Sequence, residues 1–291
     1  VSQFEFANKA EEIAREAGAL LKGFYEKGVT AEYKDDVDLV TEADKASEKL
    51  IRARLQAAYP THGIYGEEGT RDALDSEYRW YVDPLDGTTN FAHGFPAFGV
   101  VLGLEHRPAG LKPGEDGTMI AGVVYDPLRD ELFAAEKGKG AWLNGKQIRV
   151  SKTKTLQESL TATGFPSHKR HLNPNAYFYY QITLRSHGVR RAGSAALDLA
   201  YVACGRLDGF WEFNLNPWDT SSGVLLVTEA GGTVSHFDGG EFTLDSREVL
   251  ATNGLIKDEM VHIFSEMFAG RELDPIPTPA EFAARRAAEG R

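Results

Sequence analysis

The chain has 291 residues, 42% apolar and 26% charged, the composition of an ordinary globular protein with enough apolar material for one large core or two joined ones. Its formal charge of -11 and pI near 5.3 argue against a basic face that binds nucleic acid by neutralising phosphates. The single Cys204 leaves no internal disulfide and no Cys-based zinc site, and without a membrane-length apolar run or a signal-peptide pattern the expected setting is the cytoplasm.

Ser2-Gln3-Phe4-Glu5 fits a capping box, and Phe6, Ala10, Ile13, Ala17, Leu20 and Phe24 then repeat at helical spacing, so the chain is expected to open on an amphipathic helix. Residues 29–40 form a polar connector with room for a short hairpin. Thr41-Glu42-Ala43-Asp44 starts a second helix, with Ala46, Leu50, Ala53 and Ala57 inward and Tyr59-Pro60 at its end. Gly63-Ile64-Tyr65-Gly66-Glu67-Glu68-Gly69 reads as a short strand running into an acidic loop. Trp80-Tyr81-Val82 is a buried strand that leads into Asp83-Pro84-Leu85-Asp86-Gly87-Thr88-Thr89-Asn90-Phe91, where a Gly-Thr-Thr turn is set to open a helix.

Phe98–Leu104, Met119–Tyr125, Glu131–Ala135 and Gln147–Val150 read as strands, with an exposed excursion over Arg107–Gly117. The second half has a strand at Leu160–Thr163, a mixed stretch over Phe165–Leu184 holding the basic trio His168-Lys169-Arg170, and a short strand near Val189. Ser194 caps a helix that runs through Cys204 and closes at Gly205. A strand at Leu207–Phe213, a helix from Trp218-Asp219 to Gly231-Gly232, two strands and a helix over about 256–269 follow. The tail from Pro275 to Arg291 reads as a loosely attached helix. Helix pairs alternating with sheets predict layered α+β architecture rather than a doubly wound parallel sheet.

The chemistry concentrates at Asp83–Phe91. Two carboxylates about 4 Å apart repel by roughly 4 kcal/mol at an effective dielectric near 20, so an acidic cluster calls for bound cations or raised pKa values. All-oxygen ligands suit Mg²⁺ or Mn²⁺ rather than zinc. Asp83 and Asp86 can share one cation or bridge two, the Leu85 carbonyl faces the same turn, and the amides of Gly87 and Thr88 at a helix N-terminus suit a phosphate. Each residue alone also reads as a turn former or cap; the string as a whole points to metal and phosphate. Gly140–Lys146 has the spacing of a nucleotide phosphate loop, but Gln147 replaces the Ser/Thr and a strand is expected next.

Asp83-Pro84-Leu85-Asp86-Gly87-Thr88-Thr89-Asn90-Phe91, followed by Trp218-Asp219 and Val227-Thr228-Glu229-Ala230-Gly231-Gly232, resembles the paired signatures of the inositol monophosphatase family, over the first helix to the last. The resemblance implies a layered αβαβα sandwich of the inositol monophosphatase and fructose-1,6-bisphosphatase type. It implies one domain over 1–270, with a metal- and phosphate-binding half to about 150 and a substrate side beyond, then a tail over 271–291. By position, Glu67, Asp83, the Leu85 carbonyl, Asp86 and Asp219 match metal ligands for two to three Mg²⁺, with Mn²⁺ an alternative. Asp44 and Thr88 match the pair that polarises the attacking water, with Glu67 beside them, although Thr41-x-x-Asp44 is also a capping box. Gly87 and Thr88 match phosphate contacts, and Gly193, Ser194, Ala195, Glu212, Asp86 and Asp219 match contacts to the polyol. Glu212 lies in an apolar strand, where a substrate hydroxyl or Arg190 would be its partner.

The expected activity is Mg²⁺-dependent hydrolysis of a small phosphate ester, inositol 1-phosphate first. Histidinol phosphate, fructose 1,6-bisphosphate and 3′-phosphoadenosine 5′-phosphate are alternatives within the class. A regulatory binding protein acting through RNA polymerase is the alternative from another class. The resemblance also implies a homodimer, and composition and charge leave no membrane and no direct nucleic-acid partner expected.

Overall fold

The computed structural model describes residues 4–28, 31–33, 39–109, 111, 117–165, 173–271 and 273–289. The first half runs α1 (Phe6–Lys27), β1 (Ala31–Tyr33), β2 (Leu39–Thr41), α2 (Glu42–Ala58), β3 (Gly63–Gly66), β4 (Arg71–Asp72), β5 (Tyr78–Asp86), α3 (Thr88–Ala92), β6 (Gly99–His106), β7 (Thr118–Asp126), β8 (Glu131–Glu136), β9 (Ala141–Leu143) and β10 (Lys146–Ile148). The second half runs β11 (Leu160–Thr163), α4 (Asn175–Thr183), β12 (Gly188–Arg190), α5 (Ala195–Ala203), β13 (Gly209–Phe213), α6 (Pro217–Glu229), β14 (Thr233–Ser235), β15 (Glu248–Thr252), α7 (Lys257–Phe268) and α8 (Pro279–Ala288).

Besides the β1–β2 pair, the described residues form two sheets. The large one has the order β10-β9-β8-β7-β6-β5-β3-β4 and is antiparallel except where β3 meets β5. The small one has the order β12-β11-β13-β15-β14, with β11 parallel to both of its neighbours. Helices α1 and α2 cover one face of the large sheet through Ile13, Leu21, Ile51 and Leu55 packed on Trp80, Val82, Val100 and Leu102. Helices α5 and α6 fill the space between the sheets, with Leu197, Leu199, Leu225 and Leu226 against Val101, Val124, Phe210 and Val249. Helices α4 and α7 close the far face of the small sheet around Trp211 and Phe237. The result is the expected αβαβα sandwich, because each sheet buries both faces and each needs helices on either side.

Three local expectations change. Helix α1 has Glu5 at its N-cap with no side-chain cap, and Glu136 at the end of β8 accepts the amides of Glu5, Phe6 and Ala7 at 2.7, 2.7 and 2.9 Å. Those orphan donors are thus met by a carboxylate about 130 positions away, not by the local box. Ser2 and Gln3 lie outside the described residues. Helix α2 buries Ala43, Asp44, Ser47, Glu48, Ile51 and Leu55, while Ala46 and Leu50 are half-buried and Ala53 and Ala57 exposed. Its inward face is polar over the first two turns because Asp44, Ser47 and Glu48 make hydrogen bonds with the Thr88 hydroxyl, the Pro84 carbonyl and the amides of the loop after β3, so the apolar pattern marks a neighbouring stripe. Strand ends at β10 and β13 shift by one or two residues. The centre of the polar connector, most of the tip of the 107–117 excursion and the trio His168-Lys169-Arg170 fall outside the described residues. Helix α8, capped by Thr278, has no buried residue.

Candidate active site

The last seven residues of β5 are buried, and its pairing with β6 slips between Asp83 and Asp86. On a regular strand, residues three apart face opposite sides. Pro84 has no N–H for the ladder, and the slipped register lets both carboxylates line one cavity. Glu67, Leu85, Gly87, Thr88, Gly193, Ser194, Ala195, Glu212 and Asp219 line the same cavity, so every expected site residue except Asp44 reaches it. Gly164, Phe165, Arg191, Asp198 and Leu215 line it as well; the sequence reading assigned them no role.

Asp44 lies one layer beneath, fully buried, with its Oδ1 accepting from the Thr88 hydroxyl at 2.9 Å. Its Oδ2 accepts from the Thr41 amide at 2.8 Å and the Thr41 hydroxyl at 2.6 Å, which completes the capping box of α2. The capping box and the hydrogen bond from Thr88 therefore coexist in one geometry. Burial pushes its carboxyl above the usual range, against the hydrogen bonds from Thr41 and Thr88.

Gly87, at the N-cap of the short α3, has φ of +95°, and a Cβ there would lie 2.9 Å from the Ala97 carbonyl. Only glycine accepts that turn at that closeness. Asn90 then ties the motif to the second half, since its Nδ2 donates to the carbonyls of Ala97, Ala192 and Gly193 at 2.6, 2.8 and 3.2 Å. Across that link, Asp86 Oδ2 accepts from the Ser194 hydroxyl at 2.5 Å and the Ala196 amide at 2.8 Å, at the N-terminus of α5.

Glu67 follows β3, and its loop is held from below by Glu48 of α2, which accepts from the Glu68 amide at 2.7 Å and from the Thr70 amide and hydroxyl at 3.0 and 2.7 Å. Arg71 donates to the Gly66 and Thr70 carbonyls and stacks over Tyr65. Asp219 accepts from the Asn216 amide at 2.7 Å as the third residue of α6, so it does cap its helix. Glu212 on β13 lies over Gly164, where a Cβ would come within 2.1–2.3 Å of its carboxylate atoms, so that glycine leaves the room the acid occupies. The guanidinium that acts on Glu212 is that of Arg191, not Arg190.

Six carboxylates, those of Glu67, Asp83, Asp86, Asp198, Glu212 and Asp219, thus line the cavity against the one guanidinium of Arg191 among the described residues. Burial and then the charges of Glu67, Asp86 and Asp219 push the Asp83 carboxyl well above its ordinary range. Asp86 rises through burial despite its bonds from Ser194 and Ala196, and Glu212 rises well up, chiefly through burial. Such a site would repel a phosphate dianion unless cations enter with it. Among the described residues the lining has no His or Cys, and carboxylate and carbonyl oxygens fit Mg²⁺ or Mn²⁺. Among the described residues no three side chains form a finished cation cage. The residues present fit a divalent-ion pair.

A family model described as "Inositol monophosphatase family" matches residues 3–267. Inositol monophosphatase 2 of Solanum lycopersicum is 44% identical over 273 residues, covering 90% of this chain and 98% of that protein. Nus factor SuhB of Pseudomonas aeruginosa is 44% identical over 254 residues, covering 84% and 90%. The solved structure of inositol monophosphatase from Anabaena (Nostoc) superposes with a TM-score of 0.78 at 41% identity, over 90% of this chain and 95% of that one. Extragenic suppressor protein suhB from Bartonella henselae gives 0.81 at 39%, over 89% and 98%.

Proposed function

Because the chain belongs to the inositol monophosphatase family, whose members are generally Mg²⁺-dependent phosphatases, we propose that it hydrolyses a small polyol phosphate, inositol 1-phosphate first, to the polyol and inorganic phosphate. The observation that carries the reading is the convergence of Glu67, Asp83, Asp86 and Asp219 on one cavity beside the Thr88–Asp44 pair. These four carboxylates and the Leu85 carbonyl would hold the metal. Bound Mg²⁺ supplies charge neutralisation and a water acidic enough to attack at neutral pH.

The protein's own groups do the rest. Thr88 accepts a hydrogen bond from the attacking water and passes its own to Asp44, whose position is fixed by Thr41. The start of α3 at Gly87 and Thr88 presents amides to the phosphate. Ser194 holds Asp86 in place, and Glu212 accepts from a hydroxyl of the alcohol. The new O–P bond forms in line with the P–O bond that breaks, and the alcohol leaves with a proton.

Relatives carry both phosphatase and Nus-factor names; the two readings can coexist, and phosphate release tests the phosphatase one. Purified protein should release phosphate from inositol 1-phosphate with Mg²⁺ and be inhibited by millimolar Li⁺. A panel adding histidinol phosphate, fructose 1,6-bisphosphate and 3′-phosphoadenosine 5′-phosphate would rank substrates by kcat/KM. Silence toward the whole panel would refute the phosphatase reading.

A further inference from the structure

Asp198 is the member of the acidic lining for which neither the metal nor the water chemistry has a use. It sits in the first turn of α5, four residues after Ser194, with its amide bonded to the Ser194 carbonyl at 3.1 Å, so the two side chains share a helix face. Its side chain lines the cavity, the residue is 2% exposed, and no described residue donates a hydrogen bond to its carboxylate. The groups acting on it through space are Asp86 and Arg191, and it in turn acts on Glu212. A buried carboxylate without donors costs free energy, and a protein keeps one where a ligand brings the donors.

We propose that Asp198 determines specificity by accepting a hydrogen bond from a hydroxyl of the alcohol portion of the ester, alongside Glu212. This rests on the polyol-phosphatase reading and deepens it. Two acids lining one cavity offer acceptor oxygens for two donors. Vicinal hydroxyls supply these, and because Arg191 already contributes positive charge, neutral donors suffice. An aryl or simple alkyl leaving group has nothing to offer either acid, and a site that expects hydroxyls rejects an analogue lacking them.

The test compares inositol 1-phosphate with p-nitrophenyl phosphate, both with saturating Mg²⁺, in the full-length protein and in Asp198→Ala and Asp198→Asn. Asp198→Ala should lower kcat/KM for the inositol ester by about tenfold or more while the aryl ester stays within about twofold, and Asp198→Asn, which keeps one acceptor, should fall between. Both variants should melt no lower than the parent, because a carboxylate lacking donors is removed. Equal losses for the two esters, or no change in either, would overturn the proposal. A lower Tm with unchanged selectivity would instead make Asp198 an ion-pair partner of Arg191 and overturn it too. If the unsubstituted protein turns over neither ester, it is the phosphatase reading itself that fails.

Discussion

The Thr88 hydroxyl lies 2.9 Å from Asp44 Oδ1 and 3.0 Å from the Leu85 carbonyl, and it has one proton to give. Where the Leu85 carbonyl turns to a cation, that proton goes to Asp44 and the hydroxyl oxygen faces the cavity as an acceptor. Thr88→Ala should therefore lower kcat by about 10²–10³-fold, Thr88→Ser should stay near the parent, and Asp44→Asn should match the alanine variant. The double variant should be little worse than either single one, since the two act as a unit. Steady-state rates of phosphate release decide it; full activity in Thr88→Ala would remove the pair from the mechanism.

Asp83 is buried among acids, so cations and the fold are linked. Added Mg²⁺ should raise Tm, with a contribution of about 2.7 kcal/mol at a hundredfold excess over Kd. Asp83→Asn should be inactive, should lose most of that shift, and should melt higher than the parent in EDTA, because one of the mutually repelling charges is gone. Thermal melts with EDTA and with Mg²⁺ read all three; a parent indifferent to Mg²⁺ would contradict the ligand assignment.

Glu48 does not line the site cavity but receives three donors from the loop that carries Glu67. Glu48→Ala should raise the Mg²⁺ concentration for half-maximal activity by about 10–100-fold, with partial recovery in Glu48→Gln, as for groups that orient metal ligands. An unchanged Mg²⁺ dependence would show that the loop holds itself.

Gly164→Ala places a methyl on the Glu212 carboxylate, which must then move. KM for the polyol ester should rise several-fold while kcat toward an aryl phosphate persists. Kinetics on the two esters would show it, and an unaltered KM would mean Glu212 does not meet the alcohol.

His62 gives the fold a pH dependence away from the cavity. Trp80 Nε1 donates to His62 Nδ1 at 3.1 Å, the ring stacks on Tyr59 and Tyr78, and burial lowers its pKa. Indole is a donor only, so Nδ1 must stay unprotonated. The unfolded chain then binds the extra proton first, below the ordinary His value of about 6.5, and stability falls as pH drops from there toward the lower folded pKa. Urea melts between pH 7.5 and 5.5 should show a smaller slope in His62→Gln than in the parent.

Much of this was legible in order along the chain. Helical and strand periodicity placed most elements, and Asp83–Phe91 announced its chemistry because a strand end, a proline, a tight glycine turn and a helix start must be adjacent to build it. The inward face of α2 is not legible in sequence because Asp44, Ser47 and Glu48 look like a solvent face until their distant hydrogen-bond partners are known. Glu136 over the start of α1 was invisible for a related reason, since its partners are about 130 residues away.

The sequence by itself determined which side chains could act: the acids, the turn that needs Gly87, the hydroxyls of Thr88 and Ser194, and the layered class of fold. Tertiary structure alone decided which of them meet. Asp86 reaches Ser194 across 108 positions, Glu212 finds its space over Gly164, and Asp198 arrives beside both without a donor. Periodicity reports the face of an element, a local property; neighbours across a cavity depend on how two sheets and the helices between them stack, and that follows from the burial of the whole chain at once.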